Sequence, residues 1–203
     1  VIRQALRRAV KLLGEQFVIG PNIEKAIGRA RALQAAGYRI SYDMLGEAAR
    51  SEADAKRYFD RYLGAIEAIG KAAGAMPSDQ GEALMARPNI SVKLSALHAR
   101  FEPGKEARLA AELHPRLLTL VRAAHERGIG VMIDAEEQDR LDIELQAFGQ
   151  MLTHPALVGW QGLGLAVQAY SKRAIPVLRW LRRMSQATGK RIPVRLVKGA
   201  YWD

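Results

Sequence analysis

Cysteine is absent from the 203 residues. That excludes a disulfide framework and any thiolate metal centre, gives no support to secretion, and fits a reducing compartment. Aromatic residues make up only 6 % of the chain, and with alanine abundant the balance favours a helix-rich architecture. No apolar run approaches the roughly 18 residues needed to span a bilayer. The opening VIRQALRRAVKLLGEQFVIG is basic and amphipathic, without an initiator Met or a long apolar core. It reads as an internal start and a helical lead-in over about residues 1–20, not as a signal peptide. Acid is scarce relative to base, 21 Asp and Glu against 31 Lys and Arg, for a formal net charge of +10. Such a charge suits an anionic partner: nucleic acid, a membrane surface or an acidic ligand. The basic residues are scattered, however, as in the pairs Arg7-Arg8 and Arg182-Arg183, and no aromatics interleave them. Solvated helix faces account for them better, and nucleic acid is not expected to bind through this segment. The four histidines (98, 114, 125 and 154) lack metal-ligand spacing, so no metal site is expected. GLGLAV (162–167) resembles a phosphate-binding turn only loosely, because it sits within a strand.

What is present is one layout used repeatedly. LQAAGYRISYDML (33–45), AHERGIGVMIDAE (124–136) and QATGKRIPVRLVK (186–198) each run helix, Gly, short link, strand. Gly37, Gly128 and Gly189 stand where a helix closes in the left-handed conformation. NISVKLSAL (89–97) and GLGLAVQAY (162–170) are two further strand-like runs. Residues 53–74, 112–128 and 175–189 carry apolar groups three and four apart, and Pro176 suits a first helical turn. Segment 74–88 reads as a loop with a turn of helix in it. Five strands alternating with helices predict a parallel sheet. The fold expected is α/β, an incomplete (β/α)8 TIM-type barrel made of its first five strand–helix units, since eight take about 250 residues. A complete five-stranded doubly wound sheet is the competing architecture. It would normally finish with a helix over the last strand, and this chain finishes without one, as expected for a fragment of a longer gene product.

Alternation along each strand then sorts the side chains. Ile90, Val92 and Leu94 oppose Ser91, Lys93 and Ser95. Val131, Ile133 and Ala135 oppose Met132, Asp134 and Glu136. Leu163, Leu165 and Val167 oppose Gly164, Ala166 and Gln168. Val194 and Leu196 oppose Arg195 and Val197. The apolar parity should pack under helices, which leaves Lys93, Asp134, Glu136, Gln168 and Arg195 together near the C-terminal halves of their strands. Burying an ion costs several kcal/mol unless it is paired, so charges on successive strands point either to a site at the barrel mouth or to an ion-pair network that fixes register. Lys93 and Asp134 would offset each other.

DAEE, VQAY, RLVKGAYWD, SYDMLGEA and VKLSALH resemble the catalytic barrel of the proline dehydrogenase family, and more narrowly the proline utilization A flavoenzymes, from residue 14 to the last residue. The resemblance implies a distorted (β/α)8 barrel with noncovalent FAD at its strand ends. It implies oxidation of L-proline to 1-pyrroline-5-carboxylate, with electrons passed to a membrane quinone. A cytoplasmic protein, peripheral to the inner membrane and homo-oligomeric at full length, would follow. By resemblance, Arg195 lies near the reactive edge of the flavin, and Gln168, Lys198, Gly199, Ala200 and Trp202 line the cofactor. Lys93 meets the substrate carboxylate and Asp134 holds Lys93, so Arg195, Lys93 and Asp134 are the expected catalytic set. Leu196 and Tyr201 would wall the substrate ring. Asp43 and Glu47 belong to the strand-1 motif without an assigned chemistry, and Glu136 would pair with an inward cation. The family's late Tyr-x-x-Arg-Arg helix and the remaining strands are not in these 203 residues, so the chain alone is expected to be insoluble or partly folded and to bind FAD poorly. A basic non-enzymatic binding module and a different barrel enzyme are the alternatives.

Overall fold

The computed structural model describes residues 18–46, 48–75 and 82–199. Almost all of the predicted lead-in lies outside them, as do Glu47, Ala200, Tyr201 and Trp202. The chain divides into two compact units, Val1–Ile40 and Ser41–Asp203. The described part of the first is built on helix α1 (Ile23–Ala35), whose N-terminus is capped by the Asn22 side chain accepting from the Lys25 N–H at 3.0 Å. An Asx cap satisfies one of the amides that the first turn leaves without a partner.

The second unit carries the sheet. In chain order it runs β1 (Ser41–Asp43), α2 (Glu52–Ala73), α3 (Glu82–Ala86), β2 (Asn89–Val92), α4 (Glu106–Glu126), β3 (Gly130–Ile133), α5 (Leu141–Leu152), β4 (Leu163–Gln168), α6 (Ala174–Thr188) and β5 (Val194–Val197). All neighbouring pairs are parallel, and the strand order is the sequence order. A doubly wound sheet reverses at a switch point; this one curls in a single direction, as part of an α/β barrel does. The three predicted glycine closures all have positive φ: 89° at Gly37, 62° at Gly128 and 67° at Gly189.

Helix periodicity fixes which faces are buried. On α2, Ala55, Tyr62, Ala65, Ile66 and Ile69 face inward, and Ser51 caps the start by accepting from the Asp54 N–H at 3.1 Å. On α4, Leu109, Leu113, Leu117, Leu120, Val121 and Ala124 form the buried stripe. Each leucine so buried is worth about 1.5–3 kcal/mol in apolar transfer. The two helices come so close at Gly70 that a Cβ there would meet the Arg127 Cβ at 2.4 Å.

The structure corrects three expectations of extent. β2 stops at Val92, and Leu94–Ala96 forms a 3-10 turn where the apolar run suggested continued strand. α4 begins at Glu106, a turn and a half before the predicted start, and carries Pro115 inside it. Leu141–Leu152 is a helix that the sequence reading did not mark. The loop predicted over 74–88 does contain a short helix, α3.

Candidate active site at the strand ends

Register explains how side chains distant in sequence converge. Val92 pairs with Ile133, so the next residues out, Lys93 and Asp134, are lateral neighbours. The Asp134 N–H bonds to the Val92 carbonyl at 3.0 Å. On the far side Ile133 pairs with Leu165 and Leu165 with Val194, which puts Ala166 and Arg195 level with Asp134. β4 lies between, and its residue at that level is only an alanine. The Arg195 guanidinium therefore crosses over Ala166 to reach β3 and β2.

Asp134, 7 % exposed, is the hub. Its Oδ2 accepts from the Lys93 Nζ at 3.0 Å, and its Oδ1 accepts from the Arg195 Nη2. Arg195 Nη2 also donates to the Ser91 Oγ at 2.9 Å. Lys93 makes a second bond, to the Asp43 Oδ1 at 2.9 Å. Burial pulls the Lys93 ammonium toward neutrality, but the hydrogen bonds and charges of Asp43 and Asp134 outweigh it and raise its pKa above the ordinary lysine value. The cation stays charged at any physiological pH. Among the described residues two of its three donors are used, which leaves one for a ligand anion. Behind it the Lys93 backbone N–H donates to the Tyr62 hydroxyl at 3.3 Å, and burial pushes the Tyr62 phenol up to about 12. That hydroxyl is a fixed structural group and not a proton carrier.

Gln168 lies at the end of β4. Its Nε2 donates to the Glu136 carbonyl at 2.6 Å, which settles the orientation of the amide. Its Oε1 is buried and has no partner among the described residues. Beside it runs the backbone of Gly199 (φ 108°), where a Cβ would meet the Tyr170 ring at 2.1 Å and lie 3.2 Å from the Gln168 Oε1. No side chain larger than glycine's fits there.

The predicted set is thus partly assembled. Lys93, Asp134 and Arg195 meet. Gln168 is placed one level further out, and Lys198 is exposed, with its carbonyl accepting from the Tyr170 N–H at 3.3 Å. Leu196 is not brought to the cluster: it alternates with Arg195, pairs in register with Val167 and is 60 % exposed. Among the described residues the cation paired with Glu136 is Arg140 of its own loop and not one of the strand cations. The Glu136 Oε1 accepts from the Ser95 N–H at 3.0 Å, and its Oε2 lies 3.5 Å from Arg140, four residues on. Ala200, Tyr201 and Trp202 lie outside the described residues. Two participants had no role assigned from sequence: Asp43, whose charge in the last position of β1 was the available signal, and Ala166, legible only as a small residue in register with Arg195.

Fold and site together define the class, an α/β barrel with a paired-charge cluster at the C-terminal ends of its strands. The family described as proline dehydrogenase matches residues 26–203, and the chain belongs to that family. It is 45 % identical over its whole length to the bifunctional protein PutA of Escherichia coli K12, covering 15 % of that protein, and 43 % identical to the PutA of Rhizobium meliloti, covering 16 %. It is 28 % identical to the proline dehydrogenase of Deinococcus radiodurans, covering 57 % of it. The chain therefore spans a small part of the bifunctional relatives. Among solved structures, a mutant proline utilization A from Bradyrhizobium japonicum superposes with a TM-score of 0.81 at 47 % identity, over 99 % of this chain and 20 % of that one. The Bdellovibrio bacteriovorus protein, inactivated by N-propargylglycine, gives 0.89 at 25 % identity, over 99 % of this chain and 22 % of that one.

Proposed function

We propose that the gene product carrying this chain oxidises L-proline to 1-pyrroline-5-carboxylate with a noncovalently bound FAD. The observation that carries the reading is the two-cation cluster, Lys93 and Arg195 held on one buried Asp134, beside the Gln168 Oε1, which has no partner among the described residues. These residues fit a flavin. Gln168 Oε1 offers an acceptor to a ring N–H, Gly199 lets the backbone approach a flat group closely, and Arg195 supplies positive charge to an electron-rich ring edge. Lys198 and the segment after it would continue the cofactor wall. When bound, the flavin supplies the hydride acceptor. Lys93 uses its remaining donor for the proline carboxylate, and Asp134 keeps both cations in place while offering its own charge to the substrate amine.

The electrons are proposed to leave to a membrane quinone, from a cytoplasmic homo-oligomer bound peripherally to the inner membrane. Among the described residues no helix is long and apolar enough to cross a membrane. The test is anaerobic addition of L-proline to the intact purified gene product, followed by flavin absorbance. Loss of the oxidised flavin band on a catalytic timescale is expected. A flavin-loaded protein whose spectrum ignores proline would overturn the proposal.

A further inference from the structure

Ser91 lies on β2 two residues before Lys93, so the two side chains share a face and Ser91 is the deeper. It is fully buried. A parallel strand buried on both faces is normally a continuous apolar run, and a hydroxyl placed in one needs a hydrogen bond to offset its burial. Register gives its neighbours across the sheet: Ser91 pairs with Met132, and Met132 with Gly164. From β2 to β4 that row therefore offers one hydroxyl, one thioether and one bare backbone. Gly164 tolerates nothing larger, because a Cβ there would stand 2.7 Å from the Pro193 carbonyl oxygen and 2.8 Å from the Met132 Cε. The row is an apolar floor beneath Lys93, Asp134, Ala166 and Arg195, with Ser91 as its hydroxyl.

That hydroxyl is used by the arginine. Ser91 Oγ accepts from the Arg195 Nη2 at 2.9 Å, and the same nitrogen donates to the Asp134 Oδ1. Nη2 carries two hydrogens, so one goes to a carboxylate level with the arginine and the other to an acceptor one row deeper. Two acceptors on different strands fix the tilt of the planar group. Asp134 alone leaves it free to pivot about one contact, and that carboxylate is shared with Lys93. The Arg195 side chain is 35 % exposed, so Ser91 anchors at depth a head that stays partly accessible. Ser91 is uncharged, which separates the placing of the arginine from the neutralising of Asp134.

We propose that Ser91 is a positioning residue for Arg195: it draws the guanidinium down toward Met132 and sets the height at which its charge meets the flavin edge. The inference rests on the flavin reading above and extends it to a side chain that acts through the arginine. Without the hydroxyl, Nη2 keeps only Asp134 and the guanidinium tilts away from the floor. The reduced ring is the more electron-rich, so it loses more from that displacement than the oxidised ring does.

The experiment uses the intact gene product and its Ser91→Ala, Ser91→Cys, Arg195→Met and Ser91→Ala/Arg195→Met variants. Midpoint potentials of the bound flavin come from spectroelectrochemical titration, and crystal structures of the parent and Ser91→Ala proteins without flavin locate Arg195. Ser91→Ala is expected to weaken reduced relative to oxidised FAD about tenfold, a fall of about 30 mV in the two-electron potential, and to move the guanidinium off the floor. Ser91→Cys, of similar size but a weak acceptor, should lower the potential by a similar amount. In the Arg195→Met background Ser91→Ala should add no further shift, because the serine acts through the arginine. A parental potential in Ser91→Ala or Ser91→Cys, a full further shift in the double variant, or an unmoved Arg195 in the Ser91→Ala crystal would make Ser91 a packing residue and overturn the proposal. If Ser91→Ala does not fold, the near-isosteric Ser91→Cys decides on both readouts. A parent that binds no FAD, with Arg195 still displaced in Ser91→Ala, would sink the flavin reading while leaving the anchoring of Arg195 intact.

Discussion

At the scale of single residues, Asp134 matters through what it holds as much as through its own charge. Removing one member of a part-buried charge cluster leaves the others short of compensation, and the effect differs with the member removed. Arg195→Met keeps the length of the side chain and leaves Asp134 paired with Lys93. Flavin reduction by proline is expected to slow at least about tenfold, some 1.4 kcal/mol, with the melting temperature little changed. Stopped-flow reduction against thermal unfolding separates the two, and an unchanged reduction rate would remove Arg195 from the chemistry. Lys93→Ala should raise the proline concentration for half-maximal rate by about tenfold while Arg195 still neutralises Asp134. A loss confined to stability would instead favour the register-fixing ion-pair network. Glu144, buried on the inner face of α5, titrates with the opposite sense to a salt-bridged acid. Burial raises its folded pKa, so its stabilising contribution is complete below the unfolded carboxyl value and is lost as pH climbs toward the folded one. Glu144→Gln should therefore be more stable than the parent at pH 7, with the gap closing below about pH 4. Denaturant titrations at both pH values check the sign. These roles were unevenly legible. Parity along the strands gathered Lys93, Asp134 and Arg195, because alternation is a local property. Glu144 was invisible, since a lone acid in a helical stretch looks like a solvent-facing group until the fold assigns its face.

The elements are joined by a device with no sequence motif. Arg87, at the end of α3, donates to main-chain carbonyls at the C-terminal ends of two helices: Ala73, Gly74 and Ala75 after α2, and Gly128 after α4, at 3.2, 2.9, 2.9 and 2.5 Å. Lys190 does the same work further along, reaching the Leu152 carbonyl at 2.6 Å and the Leu157 carbonyl at 2.7 Å. Helix ends leave carbonyls without intrahelical partners, and one guanidinium can serve several. Arg87→Met should destabilise the intact protein by about 1–2 kcal/mol in urea unfolding, chiefly from the buried Gly128 carbonyl left without its donor, since Gly74 and Ala75 are exposed. Arg87→Lys should recover little, because an ammonium lacks the planar fork. Unfolding midpoints equal to the parent's would show that water replaces the clamp. The elements themselves were mostly readable: glycine closures and short links marked three strands, and apolar runs marked two more. The limits of β2 were not, because the same apolar residues, Leu94 and Leu97, serve a 3-10 turn as readily as a strand. Nor was α5 marked, where no glycine closure signals the end of the helix.

On the scale of the whole molecule, the sequential strand order separated a barrel from a doubly wound sheet, a choice that local pattern left open. Among the described residues many cations have acidic neighbours, as in Lys56–Asp60, Arg108–Glu112 and Arg173–Asp142. On β5, Val194 and Leu196 are 41 % and 60 % exposed, with Ile175 of α6 at 56 %. An uncovered apolar strand promotes association between copies. Residues 1–203 produced alone are expected to aggregate and to retain FAD poorly. A monodisperse, stoichiometrically yellow preparation by light scattering and absorbance would contradict this.

The alanine at position 166 has a further implication. The arginine's resting place over the sheet depends on how much room the intervening strand leaves, a question of steric clearance. Enlarging that one neutral side chain, as in Ala166→Leu, would lift the guanidinium off Asp134 and alter the field at the mouth without adding or removing a single ion. The electrical setting of this centre is adjustable by bulk alone.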